Sequence, residues 1–177
     1  AISEVIINAE NILSNEKREV LKHRVFIKLK EIIYSFWSII RGGFIGFIIG
    51  VLPGAGAGIA SFVSYSTERQ ISKNPENFGK GEIKGVAGPE SANNAASAGA
   101  FVPMLALGVP GSATTAVMLG AFLMLDIQAG PMLFLERPDV VWGLVAALYV
   151  GNIFLFILNL PLISLFVRIL YIPMAIL

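Results

Sequence analysis

Two short Pro-Gly segments hold the residues of this chain whose types and spacing fit the binding of an anion. The first reads GVLPGAGAG over residues 50–58, and the second reads GVPGSATT over residues 108–115. Proline removes a backbone hydrogen bond and glycine leaves helical geometry easily, so a helix that ends at such a segment can begin again beyond it. The first N–H groups of the new helix, together with its dipole, attract an anion.

Hydroxyl groups follow the second segment and not the first. Pro110 suits the first position of a helix, and three hydroxyls come within a turn of it. We therefore predict a carboxylate site built from both segments, with these residues: Gly54, Ala55, Gly56, Pro110, Gly111, Ser112, Thr114 and Thr115. The alternative is that the hydroxyls only bond carbonyls one turn earlier in their own helix, which is a common habit of Ser and Thr.

A third polar group lies in the stretch PESANNA, residues 89–95. The side chains of Asn93 and Asn94 carry amides that can bond substrate oxygens and carbonyl oxygens that can ligate a hard cation. We include both in the predicted substrate site, and with Glu90 they are the predicted site of a coupling ion, H+ or Na+. The alternative is that Glu90 caps a helix and that the amides only pack.

The residue types exclude several other chemistries. GAGAG does not extend to a dinucleotide fingerprint, because Ile59 stands where Gly or Ala is needed. The single histidine, His23, lies outside the apolar runs, so neither an intramembrane serine protease nor a zinc protease is expected. A net charge of +1 argues against nucleic acid as a partner. We expect no enzyme, no metal site and no resident cofactor.

The elements that must position these residues have the composition of membrane helices. The chain is 55% apolar and 14% charged, with a mean hydropathy of +0.75. Uncharged runs over 42–67, 91–125 and 140–167 each exceed the roughly 20 residues that a spanning helix needs. The sequence predicts an all-α, multi-pass membrane protein whose helices are broken at the Pro-Gly motifs into re-entrant, hairpin-like segments.

Charge divides the chain into three predicted regions. Residues 1–41 form a polar segment and an amphipathic interfacial helix, residues 42–136 a core with a cytoplasmic loop over 68–90, and residues 137–177 transmembrane helices. Basic residues on both sides of the run over 42–67 favour the cytoplasm at each end. That run is therefore expected to fold as a hairpin, with a single full span as the alternative.

The interfacial helix is predicted from VFIKLKEIIYSFWSIIRG, residues 25–42, where apolar residues recur at helical spacing. Tyr34 and Trp37 suit the level of the lipid headgroups. An ordinary surface helix is the alternative. At the other end of the chain Pro161 is expected to begin a new apolar segment, which carries Arg168. The chain ends in apolar sequence, LYIPMAIL, and we expect it to be a fragment of a longer protein.

Glycines recur every four residues from position 42 to position 58. A stripe of this kind lets another helix approach closely, so Gly42, Gly46 and Gly50 are predicted to form a packing face. The glycines after Pro53 are predicted instead to open the backbone; they are Gly54, Gly56 and Gly58. The two Pro-Gly segments are similar enough to be halves of an internal repeat.

Three longer stretches resemble one known family. GVLPGAGAGIASFVSY, FGKGEIKGVAGPESANNAASAGAFVPMLALGVPGSATTAVMLGAF and QAGPMLF resemble the large membrane subunit of the tripartite tricarboxylate transporters, TctA. The chain is similar to part of the second half of that internally repeated subunit. Asp126 and Ala129 depart from its pattern, since the family more often has Gly and Pro there.

The resemblance implies a function and partners. It implies a permease of the bacterial inner membrane that takes up tricarboxylates or related carboxylates on an ion gradient, together with a periplasmic solute-binding protein and a small membrane subunit. The expected partners are thus these two proteins, the carboxylate and the lipid bilayer. The alternative is a non-transporting membrane scaffold or assembly subunit whose Gly-rich breaks serve helix packing.

Overall fold

The computed structural model describes residues 27–169, with side chains described to residue 163. Within those residues the regular structure is helical and contains no strand, so the predicted all-α class is confirmed there. The helices are α1 (Leu29–Val51), α2 (Gly56–Ile71), a 3-10 turn (Pro75–Asn77), α3 (Lys84–Gly99), α4 (Phe101–Leu107), α5 (Ala113–Met124), α6 (Leu133–Glu136) and α7 (Pro138–Ile169). The predicted polar segment before residue 27, with His23, lies outside the described residues, as do the Arg168 side chain and residues 170–177.

Helices α1 and α3 run parallel and touch through residues that have little or no side chain. A Cβ atom added to Gly42, Gly46 or Gly50 would overlap the backbone of Gly88, Ala92 or Ala96, respectively. Only glycine permits this approach, which brings the two backbones into direct contact. The predicted packing face on α1 is therefore confirmed.

Helix α2 runs antiparallel to α1 and α3. The guanidinium of Arg41 on α1 bonds the carboxylate of Glu68 on α2, and the Ser61 hydroxyl lies 3.2 Å from the Pro89 carbonyl of α3. Arg41 and Glu68 flank the uncharged run over 42–67, so this run doubles back on itself. α1 has 23 residues and continues without a break through residue 41, where the sequence analysis ends a separate interfacial helix.

The three helices place small side chains inside and large apolar ones outside. The buried residues of α1 are Ser35, Ser38, Gly42, Gly46 and Gly50. Phe36, Trp37 and Phe44 of the same helix are exposed. This distribution is unfavourable in water and suits contact with lipid. Among the described residues, α1 over Leu29–Val51 and α7 over Pro138–Ile163 are long and apolar enough to cross a membrane.

The connection between α2 and α3 covers residues 72–83 and is shorter than the predicted loop over 68–90. Phe78 anchors it, because this side chain is buried and its ring stacks edge-on against Tyr65 at 5.6 Å. The charged residues that made the loop look longer lie in the flanking helices: Glu68 and Arg69 in the last turn of α2, Lys84 at the start of α3 and Glu90 further inside α3.

The remaining helices pack around a separate apolar cluster. Its buried members are Met104, Leu105, Ile127, Leu133 and Val141. Helix α7 begins next to this cluster and continues through Pro161, so the predicted start of a new segment at that proline is wrong. A proline removes one helical hydrogen bond, and such a loss is tolerated inside membrane-type helices.

Candidate functional site

The two Pro-Gly segments meet in the structure. The backbone N–H of Gly54 donates a hydrogen bond to the Gly111 carbonyl, with 3.3 Å between the two atoms. The two residues are 57 positions apart in the sequence, and each lies between two helices. The hydrogen bond therefore brings the ends of four helices together at one place.

The first segment is a short turn between α1 and α2. α1 ends at Val51, and the chain reverses through Leu52 to Ala55 with Gly54 at φ +86° and Gly56 at φ +73°. Residues with side chains rarely adopt such angles, so these two positions suit glycine, as their predicted role in opening the backbone requires. Gly58 was also predicted to open the backbone, but it lies inside α2 and has no positive φ.

The second segment ends α4 and begins α5. Gly108 closes α4 in the left-handed conformation, at φ +69°, and its N–H bonds the Met104 carbonyl. Ser112 then caps α5: its hydroxyl accepts from the Thr115 N–H at 3.2 Å, and its own N–H donates to the Thr115 hydroxyl at 2.8 Å.

The cap uses two of the three predicted hydroxyl residues, Ser112 and Thr115. Thr115 is 1% exposed, and its hydroxyl also donates to the Ser112 carbonyl at 2.9 Å. For Thr115 the local bonding that the sequence analysis kept as an alternative is thus the arrangement found. Thr114 lies outside this pair and is exposed.

A cavity of about 340 Å³ lies between the two segments. Its size falls near the lower end of small-molecule pockets. Residues from α1 to α5 line it: Gly50, Gly56, Ala57, Ala96, Ser97, Ala100, Phe101, Gly111, Ser112, Thr114 and Thr115. The structure therefore brings Gly56 of the first segment together with four predicted residues of the second. Ala55 and Pro110 are each adjacent in sequence to a lining residue, and the Gly54 N–H bonds the carbonyl of the lining residue Gly111.

The polarity of the cavity comes from backbone groups and hydroxyls. Among the described residues, no charged side chain lines it. Helix α2 begins at its wall, and Ala55 has no side chain that can cap the first N–H groups of that helix. Helix α5 also begins there, behind the Ser112 cap. Because each helix N-terminus carries about half a positive charge, the two termini together favour a carboxylate.

The predicted coupling-ion residues lie on α3 outside this cavity. Glu90 and Asn94 are exposed, and the Asn94 amide donates to the Glu90 carbonyl at 2.9 Å. Asn93 is linked to the cavity through Ser97. Ser97 lines the cavity one turn further along α3, and its hydroxyl donates to the Asn93 carbonyl at 3.0 Å. Glu90 also lies inside α3 rather than in its first turn, so it does not cap that helix. The ion-binding role of these residues stays a prediction.

A second polar site, which was not predicted from the sequence, lies at the other end of the α1–α2 hairpin. Arg41 and Glu68 form a two-pronged ion pair there, with both N–O distances at 2.8 Å. Glu68 is 2% exposed, although the sequence analysis assigned it to a solvated loop. The sequence does contain an indication of this ion pair, because Arg41 and Glu68 are the charged residues on either side of the uncharged run over 42–67.

One family model and two relatives match the chain. The family model described as Tripartite tricarboxylate transporter TctA family matches residues 1–177. An uncharacterized 52.8 kDa protein in the TAR-I ttuC' 3' region of Agrobacterium vitis is 52% identical over 135 residues, which are 76% of the chain and 27% of that relative. An uncharacterized protein in the TAR-II ttuC' 3' region of the same organism is 52% identical over 128 residues, which are 72% of the chain and 53% of that relative.

The chain thus spans about a quarter of the first relative and about half of the second. No solved structure matches it.

Proposed function

Because the chain belongs to the tripartite tricarboxylate transporter TctA family, we propose that it is part of a multi-pass permease that binds carboxylates in the cavity between its two Pro-Gly segments. The carried anion is a tricarboxylate or a related carboxylate, taken up on an ion gradient. The family is one of transporters, and the proposed work of this chain is binding and movement rather than catalysis.

The meeting of two helix N-termini at one cavity is the observation that carries the proposal. α2 and α5 both begin at the cavity wall, and the hydrogen bond from Gly54 to Gly111 holds their segments together. Thr114 adds an exposed hydroxyl to the backbone N–H groups. A carboxylate is recognised well by such an arrangement, because backbone donors supply positive potential without a side chain that must first be desolvated.

The hairpin of α1 and α2 is proposed to enter the membrane and return by the same face. If Trp37 lies at the headgroups, the end of α1 at Val51 is fourteen residues, or about 21 Å, deeper. Glu68 is twelve residues, or about 18 Å, from the start of α2 at Gly56. Both depths pass the middle of a hydrocarbon core about 30 Å thick without crossing it. Broken helices at that depth are used by transporters to hold substrates.

The partners are proposed from the family. They are a small membrane subunit and a periplasmic solute-binding protein that delivers the carboxylate, with the permease in the bacterial inner membrane. The chain spans only part of its relatives, so the complete site in this proposal includes residues of a longer protein.

Uptake of radiolabelled di- and tricarboxylates by cells that express the intact three-component system tests this function. Cells in which the permease carries Gly111→Leu are the comparison, because a side chain at Gly111 would enter the space against Ala100, where even a Cβ atom comes within 3.1 Å. We expect uptake of at least one carboxylate and its loss in the variant, with equal amounts of membrane-inserted protein. Uptake that is equal in both strains would favour a scaffold role.

A further inference from the structure

We propose that Arg41 is a second carboxylate-binding residue and that a proton on Glu68 is required for it to bind the anion. The site lies at the end of the α1–α2 hairpin opposite to the Pro-Gly segments. This inference rests on the proposed function, because it supplies the place where a transported carboxylate and a coupling proton would bind together.

The ion pair with Glu68 occupies the guanidinium group of Arg41, which is the group that an incoming anion would bind. Arg41 donates from Nε to one oxygen of Glu68 and from Nη2 to the other, both at 2.8 Å. This fork is the geometry with which arginine also binds carboxylate ligands. The two side chains differ in exposure, since the Arg41 side chain is 38% exposed and that of Glu68 is 1% exposed. A soluble anion can therefore reach the arginine while the glutamate stays behind it.

A cavity of about 420 Å³ gives access to the pair. Its lining includes Tyr34, Arg41, Glu68, Lys73, Asn74 and Lys84. Three cations, Arg41, Lys73 and Lys84, thus line a cavity that has one lining carboxylate, Glu68, and that carboxylate is already bonded to Arg41. The Lys84 ammonium lies 4.0 Å above the Tyr34 ring, and the Tyr34 hydroxyl donates to Glu82 at 3.3 Å. The positive charge in excess over Glu68 attracts an anion to this cavity.

Two buried serine hydroxyls, those of Ser38 and Ser64, lie around Gly88 together with Glu68 and can bond a protonated carboxyl group. A Cβ atom added to Gly88 would lie 2.8 Å from the Ser38 hydroxyl, 3.0 Å from Cγ of Glu68 and 3.2 Å from the Ser64 hydroxyl, so these groups meet around Gly88. Ser64 is fully buried, and its hydroxyl has no hydrogen-bond partner among the described residues. A protonated carboxyl group is a donor, and the Ser64 hydroxyl, one turn earlier on α2, is an acceptor without a bonding partner among the described residues.

Competition for Arg41 couples the proton to the anion. With Glu68 ionised, its carboxylate holds the guanidinium and an incoming carboxylate must displace it. A proton from solution that binds a carboxylate oxygen of Glu68 neutralises this competitor, and the two freed donors of Arg41 then bind the anion. The only covalent bond formed is the O–H bond of the protonated Glu68, its proton comes from solution, and one proton enters with each anion. Linkage requires that the anion in turn favours protonation of Glu68.

Each neighbouring element brings charged or titratable groups to this cavity. Tyr34 and Arg41 line it from α1, Lys84 from α3 and Lys73 from the connection between α2 and α3, and Glu82 accepts from the Tyr34 hydroxyl. Helix α2 joins this site to the first cavity, because it begins at Gly56 on the cavity wall and carries Glu68 twelve residues later. One rigid helix thus contacts both proposed anion sites.

Calorimetry on the intact purified protein tests the proposal with tartrate, whose two carboxyls are both ionised over the pH range used. Titrations at about pH 6 and about pH 8, each in two buffers of different ionisation enthalpy, give the affinity and the protons taken up per anion. We expect uptake of up to one proton and an affinity that falls as pH rises, by at most about tenfold per pH unit. In Glu68→Gln the proton uptake and the pH dependence should disappear while tartrate still binds.

Two further variants help to distinguish a failure of this inference from a failure of the proposed function. Arg41→Gln combined with Glu68→Gln removes both charges of the pair together and should abolish the arginine-dependent tartrate binding that Glu68→Gln alone retains. Glu76→Gln, which changes an exposed carboxylate in the 3-10 turn, should behave as the unchanged protein. Proton uptake that persists in Glu68→Gln would overturn this inference. Tartrate binding that Thr114→Val weakens and that is not linked to a proton would also overturn it, and would leave the proposed function standing. No binding of any carboxylate at any pH would contradict both.

Discussion

The Gly54 N–H and the Gly111 carbonyl lie 3.3 Å apart and join two segments that interrupt helices in different ways. At the first, α2 begins after Ala55 without a side-chain cap. At the second, the Ser112 and Thr115 side chains cap α5. The first segment therefore offers bare backbone N–H groups, and the second offers a rigid helix end with one outward-facing hydroxyl at Thr114.

Thr114→Val should weaken carboxylate binding without changing stability. The hydroxyl is exposed on the cavity wall and is not part of the cap, so valine removes one neutral hydrogen bond to the ligand. Such a bond contributes about 1 kcal/mol, which corresponds to about fivefold in affinity. Calorimetric titration with the best-bound carboxylate measures the change. Thr67→Val is the matched control, because the Thr67 hydroxyl bonds Val63 outside the cavity. Equal weakening in both variants would exclude a specific role for Thr114.

Ser112→Ala should instead lower stability. It removes the acceptor of the Thr115 N–H and the contact between the two hydroxyls, while the Thr115 hydroxyl keeps its bonds to the backbone of residue 112. Loss of a side-chain cap costs about 1 kcal/mol, with a range of roughly 0.5–2. A thermal unfolding scan of the detergent-solubilised protein, without ligand, checks this. An unchanged midpoint would mean that the Ser112–Thr115 pair does not hold the start of α5.

Gly46→Val should separate α1 from α3. A Cβ atom at this position overlaps the Ala92 backbone, which cannot yield as a flexible side chain would. Overpacking of a tight contact costs about 1–3 kcal/mol, so the unfolding midpoint should fall. Gly143→Ala is the control, because its added Cβ meets no atom within 4 Å and alanine favours a helix. A midpoint that falls as much in the control as in Gly46→Val would contradict the packing of α1 on α3.

Cysteines introduced in place of Lys28 and Lys80 should react with a membrane-impermeant maleimide from the same side of the membrane. Both lysines are exposed, one just before α1 and one in the connection after α2, and the hairpin places both at its open end. The chain contains no cysteine of its own that would add background. Labelling from opposite sides would replace the re-entrant hairpin by a full span.

The pattern of small residues was sufficient to predict the packing face on α1, although not the helix that packs against it. Glycines at every fourth position have one structural use in a helix, close approach, and Gly42, Gly46 and Gly50 are in backbone contact with α3. The helix ends near Pro53 and Pro110 likewise follow from residue types, since proline and glycine act on the backbone of their own segment.

Contacts between distant residues were harder to predict. Glu68 looks like the first residue of a polar loop, and only the fold places it against Arg41, 27 residues earlier. Thr115 looked like a ligand-binding hydroxyl because the sequence does not show that Ser112 accepts its N–H. Asn93 and Asn94 were placed in the substrate site by their chemistry, while their positions on α3 put them outside the cavity wall.

Protection of a single cysteine by substrate tests the proposed cavity most directly. Thr114→Cys places a thiol on the cavity wall, and Lys80→Cys places one in the connection far from it along the chain. In the intact protein, a saturating carboxylate that the transporter binds should slow alkylation at position 114 severalfold and leave the rate at position 80 unchanged. Equal alkylation rates at position 114 with and without that bound carboxylate would contradict a binding site between the two Pro-Gly segments.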